Sequence, residues 1–219
     1  MPLDPPEGDA GDEDVEDEHL EGLVAYGGDL RPPTLRQAYR EGLFPWYAQG
    51  DPILWWSPEP RAVLFPLDDL HVPRRLARVV ARSDLEVRLA GDVERVARAC
   101  ADARADGTWI HPEMIDAYAA LGRSGDARAV EVWRAGRFVG GIYGVVVGAV
   151  FCAESMVHLE TDMSKVALVS LVEHLRQRDF ELLDAQLMTP HLARFGVRPM
   201  PRTEYLTRLA VLRERNVSW

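Results

Sequence analysis

At 219 residues the chain can hold one large domain or two small ones, with a core that needs no staples. Its 47% hydrophobic content marks a globular protein, and its two cysteines, with no Cys-x-x-Cys, give neither a disulfide framework nor a zinc-site spacing. The formal charge of -10 belongs to residues 1–21, which carry ten acidic and no basic side chains; the rest is balanced at 25 of each sign, so an anionic partner is not excluded.

Residues 1–21 are too charged and too poor in apolar side chains to fold, and a disordered acidic tail is expected there. The tail has no basic-then-apolar leader pattern, and no later run approaches eighteen apolar residues, so a soluble, cytoplasmic protein is expected. Pro32-Pro33-Thr34 opens a helix through about Arg40, with Thr34 as its expected cap and Gly42 as its end. Pro52 to Phe65 reads as a strand-rich passage punctuated by prolines. Phe44, Trp46, Tyr47, Trp55 and Trp56 crowd into thirteen residues. A small aromatic core accounts for them, and stacking on a nucleotide base is the second reading.

A helix beginning near Pro73 places Arg74, Arg78 and Arg82 at i, i+4 and i+8, beside Leu76, Val79 and Val80. A solvated face is the ordinary reading of such a stripe. It has no acid at i±4 within it, however, and unpaired like charges make a phosphate partner the alternative. A strand over 84–90 precedes a helix from the cap Asp92 to Ala103. Trp109 then stands ahead of a helix that starts near Pro112 and is broken by Gly122 and Gly125. From Ala129 the pattern is an antiparallel meander with turns at Ala135-Gly136 and Gly148. A helix from Ser164 to Arg178, a strand over 181–187, a short helix at 191–195 and a helix from Arg202 to about Arg215 complete the chain.

The predicted fold class is α+β: a small N-terminal α/β domain over residues 22–65, then a GNAT-like acyltransferase domain over residues 66–219 with a mixed, largely antiparallel sheet. Meander, helix, strand, helix is the order of the GNAT fold, an analogy that does not itself establish chemistry. Two polar insertions stand out. Glu154 and Ser155 follow an apolar strand, and Asp184 and Gln186 sit two apart in another, on one face, with Leu183 and Ala185 on the other. Polar groups on strands this apolar need partners or substrate, and both a strand-fixing pair and an active-site frame satisfy that need.

Several chemistries find no motif. There is no phosphate-binding Gly-x-x-x-x-Gly-Lys-Ser/Thr loop and no Gly-x-Ser-x-Gly elbow around Ser155, and the six histidines show no metal-ligand spacing. No Gly-x-Gly-x-x-Gly/Ala turn precedes the helix at 164, which counts against an acetyl-CoA enzyme.

With these segments laid out, the sequence closely resembles the leucyl/phenylalanyl-tRNA–protein transferase family over about residues 22–209. The matching motifs are Gly27-Gly28-Asp29-Leu30, Gly42-Leu43-Phe44-Pro45-Trp46, Pro52 to Pro58 with Pro60-Arg61-Ala62-Val63, Gly107-Thr108-Trp109-Ile110, Val139 to Gly144, Glu154-Ser155-Met156, Ser164-Lys165 and Asp184-Ala185-Gln186. The resemblance implies an enzyme that moves Leu, Phe or Met from charged tRNA to the N-terminal Arg or Lys of a protein, marking it for N-degron proteolysis. It implies no metal and no cofactor, and a monomer is expected. Asp184 and Gln186 become the catalytic pair, Gln186 orienting the amine or ester and Asp184 polarising Gln186 and helping to remove the proton. Glu154 would hold the cationic N-terminus or the aminoacyl amine, with Ser155 as a hydrogen-bond partner.

Ile142, Phe151, Met156, Leu168, Leu171, Leu175 and Leu183 match positions that line the family's pocket for the transferred side chain. For the helix residues among them a plain core role is equally open. Trp46 and Trp109 match positions that pack on the terminal adenosine, and the Arg74, Arg78, Arg82 stripe matches a helix facing the acceptor stem. Three departures are visible. Ala185 replaces a usual Cys, with little effect expected; Val157-His158 replaces Phe-Ser, with a reshaped acceptor entrance expected; and Ile142 replaces a frequent Met. The competing readings are another GNAT-like aminoacyl-tRNA-dependent transferase, an acetyl-CoA acetyltransferase and a non-catalytic protein that binds the tRNA end.

Overall fold

The computed structural model describes residues 22–104 and 107–219, so the acidic stretch 1–21 lies outside the described residues. The chain begins with strand β1 (Leu23–Tyr26), helix α1 (Pro32–Arg40) and strands β2 (Phe44–Pro45) and β3 (Leu54–Trp56). These strands form a small antiparallel sheet in the order β1-β3-β2. Thr34 does not cap α1, which starts two residues earlier at Pro32. The two prolines have no N–H to be capped. Thr34 Oγ1 donates instead to Asp29 Oδ1 at 2.6 Å, and the Arg31 backbone N–H donates to the same oxygen at 3.0 Å.

The large sheet has seven strands. In chain order the elements are β4 (Arg61–Leu64), α2 (Arg74–Val80), β5 (Leu85–Arg88), α3 (Val93–Asp102), α4 (Pro112–Ser124), β6 (Ala127–Arg134), β7 (Arg137–Val147), β8 (Val150–His158), α5 (Met163–Gln177), β9 (Leu182–Gln186), α6 (Pro190–Ala193), β10 (Arg198–Met200) and α7 (Arg202–Leu212). Strand order is β10-β4-β9-β8-β7-β6-β5. Every pair is antiparallel except β8 with β9, which α5 connects as a crossover. The α+β class with a mixed, largely antiparallel sheet therefore holds. Arg61–Leu64 already belongs to the large sheet, paired between β10 and β9.

Asp92 caps α3 as expected, accepting from Glu94 N at 2.9 Å and Arg95 N at 3.3 Å. Gly125, at φ +84°, ends α4 in the left-handed conformation, but Gly122 does not break the helix. A Cβ at Gly122 would lie 3.0 Å from Val93 Cγ2, so this glycine lets α4 approach α3 closely. Helix α5 packs Val166, Leu168, Leu171, Val172 and Leu175 onto one face of the sheet, and α4 packs Met114, Tyr118 and Leu121 into the core on the other.

The β8–β9 pairing positions the site. It runs only from Val150 opposite Leu182 to Cys152 opposite Asp184, while β8 continues to His158. The two polar insertions of the sequence lie at the end of this pairing.

Candidate active site

A β-bulge sets the direction of Glu154. Tyr143 on β7 faces Ser155 and Gly144 faces Ala153, so Glu154 is the extra residue on β8. Its side chain is buried. Tyr118 Oη donates to Glu154 Oε2 at 2.8 Å, and the Tyr118 and Tyr39 hydroxyls lie 2.6 Å apart. Gln186 Nε2 donates to Glu154 Oε1 at 3.1 Å. Burial pushes the Glu154 carboxyl up to about 7; the tyrosine hydroxyls pull the other way without cancelling it.

Asp184 has a closed environment. Arg61 Nε donates to its Oδ1 at 2.8 Å and Arg61 Nη2 to its Oδ2 at 2.7 Å, with both side chains out of solvent. Tyr205 Oη donates to Oδ2 at 2.8 Å, and the Gln186 backbone N–H to Oδ1 at 3.0 Å. Arg61 spends its remaining arm on the Gly42 carbonyl at 3.1 Å and sits over the rings of Phe44 and Tyr205, at 5.0 and 4.6 Å. Burial, the largest single influence, would lower the pKa of this guanidinium, but the charge and hydrogen bonds of Asp184 together with Tyr205 and Cys152 outweigh it and the net direction is up.

The backbone at Gln186 is unusual. Its φ is +55°, and Leu187 N donates to Ala185 O at 2.7 Å, a γ-turn around a non-glycine residue. Such conformations cost on the order of 1–3 kcal/mol and persist where neighbours hold them. Here the bond from Gln186 N to Asp184 does so. Both Asp184 oxygens are engaged and the residue lines neither cavity described below, so the expected help in removing a proton does not fit its position.

Two cavities meet at Glu154. One is mainly apolar, lined by Ile142, Ala153, Glu154, Ser155, Met156, Leu168, Leu183, Ala185, Thr189, His191 and Leu192. The other is lined by Phe44, Pro45, Trp46, Trp109, Glu154, Gln186 and Leu187. Of the predicted pocket residues, Ile142, Ser155, Met156, Leu168 and Leu183 are in the first wall. Phe151, Leu171 and Leu175 are not. Leu171 and Leu175 lie one and two turns farther along α5, in the core, and Phe151 stacks on Trp219 with centroids 5.7 Å apart. Ala185 does point away from Asp184, and the side it faces is the wall of the apolar cavity.

Trp46 and Trp109 come together in the second cavity although 63 positions separate them in sequence. Trp46 meets Trp56 edge-on at 5.7 Å, and Trp56 Nε1 donates to the Trp46 carbonyl at 2.6 Å. Arg104 follows α3, with Nη1 on Thr108 Oγ1 at 2.8 Å, Nη2 on Ser155 Oγ at 3.0 Å and its guanidinium carbon 5.9 Å from the Trp109 ring centre.

The basic stripe is shorter than predicted. Arg74 and Arg78 are exposed on α2 together with Arg75, and among the described residues no carboxylate lies within ion-pair distance of any of them. Arg82 lies past the helix end, where the chain turns and lets it fold back on Asp84 at 2.9 and 2.7 Å. Of the pair expected at the acceptor entrance, His158 is exposed and Val157 is buried in the core.

Sequence reasoning missed Arg61, Tyr39, Tyr118 and Arg104 as site residues, and Ala153, Thr189, His191 and Leu192 as lining. Only Arg61 carried a signal, as a charge in the apolar run Arg61–Leu64. Among the described residues no three His, Cys, Asp or Glu side chains gather as metal ligands, and no helix is long and apolar enough to cross a membrane.

Two family models match the chain: one described as leucyl/phenylalanyl-tRNA protein transferase over residues 63–210, the other as the N-terminal domain of that protein over residues 28–59. The leucyl/phenylalanyl-tRNA–protein transferase of Shewanella denitrificans is 49% identical over 195 residues, covering 89% of this chain and 83% of that protein. Its counterpart from Stutzerimonas stutzeri is 50% identical over 196 residues, covering 89% and 86%. Among solved structures, a GCN5-related N-acetyltransferase from Kribbella flavida aligns with a TM-score of 0.43 at 16% identity over 78% of this chain and 61% of that one, a likeness too loose to carry an argument.

Proposed function

The chain is an aminoacyltransferase that belongs to the leucyl/phenylalanyl-tRNA–protein transferase family, and we propose that it moves Leu, Phe or Met from charged tRNA onto the N-terminal Arg or Lys of a protein. The product marks the protein for N-degron proteolysis, and the enzyme acts as a monomer in the cytoplasm. One observation carries this reading: Glu154 belongs to both an apolar cavity and a cavity walled by two tryptophans. An aminoacyl ester of an adenosine has the same three parts in the same order: an apolar side chain, a reacting centre and a base.

In this reading the transferred side chain fills the cavity of Ile142, Met156, Leu168, Leu183 and Ala185, and the terminal adenosine lies against Trp46 and Trp109. An apolar pocket separates similar side chains only weakly, which suits a donor set of Leu, Phe and Met. The ester is already activated, and an α-amino group of pKa about 7.7–8.0 is partly neutral at neutral pH. Positioning therefore supplies most of the rate.

Glu154, poised near neutrality, holds the amine and accepts its proton, and Gln186 orients the ester or the amine beside it. Asp184 is a positioning residue that fixes the strained turn at Gln186 and is itself neutralised by Arg61. Arg74 and Arg78 meet acceptor-stem phosphates, contacts that carry little sequence information.

The test is to incubate the protein with leucyl-tRNA and peptides beginning with Arg or with Ala, and to weigh the products. Leucine on the Arg peptide alone is the expected result. Charged tRNA bound without any transfer would favour a non-catalytic tRNA-end binding protein.

A further inference from the structure

Ser155 stands next to Glu154 on β8, and its neighbours leave its hydroxyl hydrogen only weakly engaged. A serine hydroxyl has one hydrogen to donate and two lone pairs with which to accept. Arg104 Nη2 donates to Ser155 Oγ at 3.0 Å, and the Cys100 side chain is in hydrogen-bonding contact with the same hydroxyl. Burial pushes the Cys100 pKa up to about 11, so it remains a thiol. In that contact the Ser155 hydroxyl is on the donor side, since it opposes the rise, and a neutral thiol sulfur is a weak acceptor that a developing oxyanion outcompetes. Tyr143, opposite Ser155 in the β7–β8 ladder, takes no hydrogen bond: its buried phenol oxygen has no partner among the described residues. Ser155 thus accepts from Arg104, and its own hydrogen is held only by a weak sulfur acceptor. Before it lies the apolar cavity, whose wall it shares with Ile142 and Met156.

We propose that the Ser155 hydroxyl donates to the carbonyl oxygen of the transferred aminoacyl group as that oxygen becomes an oxyanion, with Arg104 as the positioning residue that fixes and polarises it. The proposal rests on the aminoacyl-transfer reading above. As the acceptor amine forms its bond to the ester carbon, the carbonyl π pair moves onto oxygen, where the Ser155 O–H meets it without giving up its proton. When the intermediate collapses, the bond from carbon to the ribose oxygen breaks, and the proton lost by the amine ends on that oxygen. Ester and amine become amide and alcohol, and Ser155 is unchanged.

Arg104 suits its role because its two arms tie different walls together. Nη1 holds Thr108 Oγ1, which also accepts the Ile110 N–H at 3.0 Å, while Nη2 holds Ser155. The loop that carries Trp109 is thereby fixed relative to the β8 bulge. A cation one hydroxyl away also strengthens the donor, because fixed dipoles and charges aimed at a developing anion need no reorganisation during the reaction.

The full chain, leucyl-tRNA and an Arg-initiated peptide provide the test, with kcat and KM for the tRNA read separately. Ser155→Ala is expected to lower kcat about 10²-fold at unchanged KM, and Ser155→Thr, which keeps the hydroxyl, to recover most of the loss. Arg104→Met is expected to lower kcat, to raise KM for the tRNA through the loosened Trp109 loop, and to cost little further kcat in the Ser155→Ala background. Full kcat in Ser155→Ala, a Thr variant as slow as the Ala variant, or Arg104 and Ser155 losses that simply multiply would overturn the proposal. If Arg104→Met does not fold, the two Ser155 variants decide. A wild-type chain that transfers to neither peptide removes the reaction itself, whereas an active wild type with unaffected Ser155 variants removes only this inference.

Discussion

Glu154 and Asp184 look alike in sequence, each an acid set in an apolar strand, and the fold gives them opposite circumstances. Asp184 meets a buried guanidinium along both oxygens and takes two more donors, so its charge is fully compensated. Glu154 receives only neutral donors among the described residues, from the Tyr39 and Tyr118 hydroxyls and Gln186, and burial moves its ionisation to about 7. Glu154 also borders two cavities, whereas Asp184 borders neither. Burial alone does not tell a working acid from a structural one. The decisive difference is whether a cation has been delivered to it.

The largest effect should come from breaking the closed pair. Arg61→Met leaves the Asp184 charge buried without its partner, a class of change that costs about 3–5 kcal/mol. Urea titration should show a collapse in midpoint, and much of the protein should be insoluble; a midpoint near wild type would mean that the pair is not what holds β4 to β9.

Glu154→Gln should do the reverse to stability while slowing transfer. In the folded chain the carboxyl keeps its proton up to about 7, against 4.5 for the free group, chiefly because burial disfavours the charge. The native state therefore binds more protons than the unfolded one between these values. The contribution to stability is full below about 4.5, falls as pH rises towards 7 and is flat above. The Gln variant should lack this slope and be the more stable protein at pH 8, by up to about 3 kcal/mol. Equal slopes in the two chains would show that Glu154 is already ionised well below neutrality.

A smaller effect tests the pocket beside Glu154. Ala185→Val adds bulk to a cavity wall that Leu183 and Met156 also line, and kcat/KM for phenylalanyl-tRNA should fall about tenfold more than that for leucyl-tRNA. Equal losses for both donors would place the transferred side chain elsewhere. The smallest effects belong to Arg74→Ala and Arg78→Ala. Each should weaken tRNA binding modestly and lower the salt slope by about one. Unchanged slopes would return these residues to an ordinary solvated face.

Much of this arrangement was legible from sequence where local chemistry decides it. The Asp92 cap, the meander, the strand at Leu182–Gln186 and the opposed faces of Asp184 and Ala185 all follow from capping and a period of two. Depth was harder to read. Periodicity puts Leu168, Leu171 and Leu175 on one face of α5, but only the end of the β8–β9 pairing decides that Leu168 reaches the pocket and the others do not. Strand β10 was missed because Pro199 argues against a strand, although at a sheet edge proline is tolerated. Arg61 lies 123 residues from Asp184, and no local pattern announces such a pair. Tyr39 and Tyr118 were equally silent, since a buried tyrosine and a surface one read alike until the partner of the hydroxyl is known.

The claim that Glu154 is the working acid can be tested most directly by single-turnover transfer of leucine from leucyl-tRNA to an Arg-initiated peptide. Wild type and Glu154→Gln would be followed from about pH 5.5 to about 8.5. Wild type should show an acid limb with an apparent pKa near 7 in addition to that of the acceptor amine at about 7.7–8.0, and the slow variant should keep only the amine's. Superimposable profiles, or a variant as fast as wild type, would contradict the account.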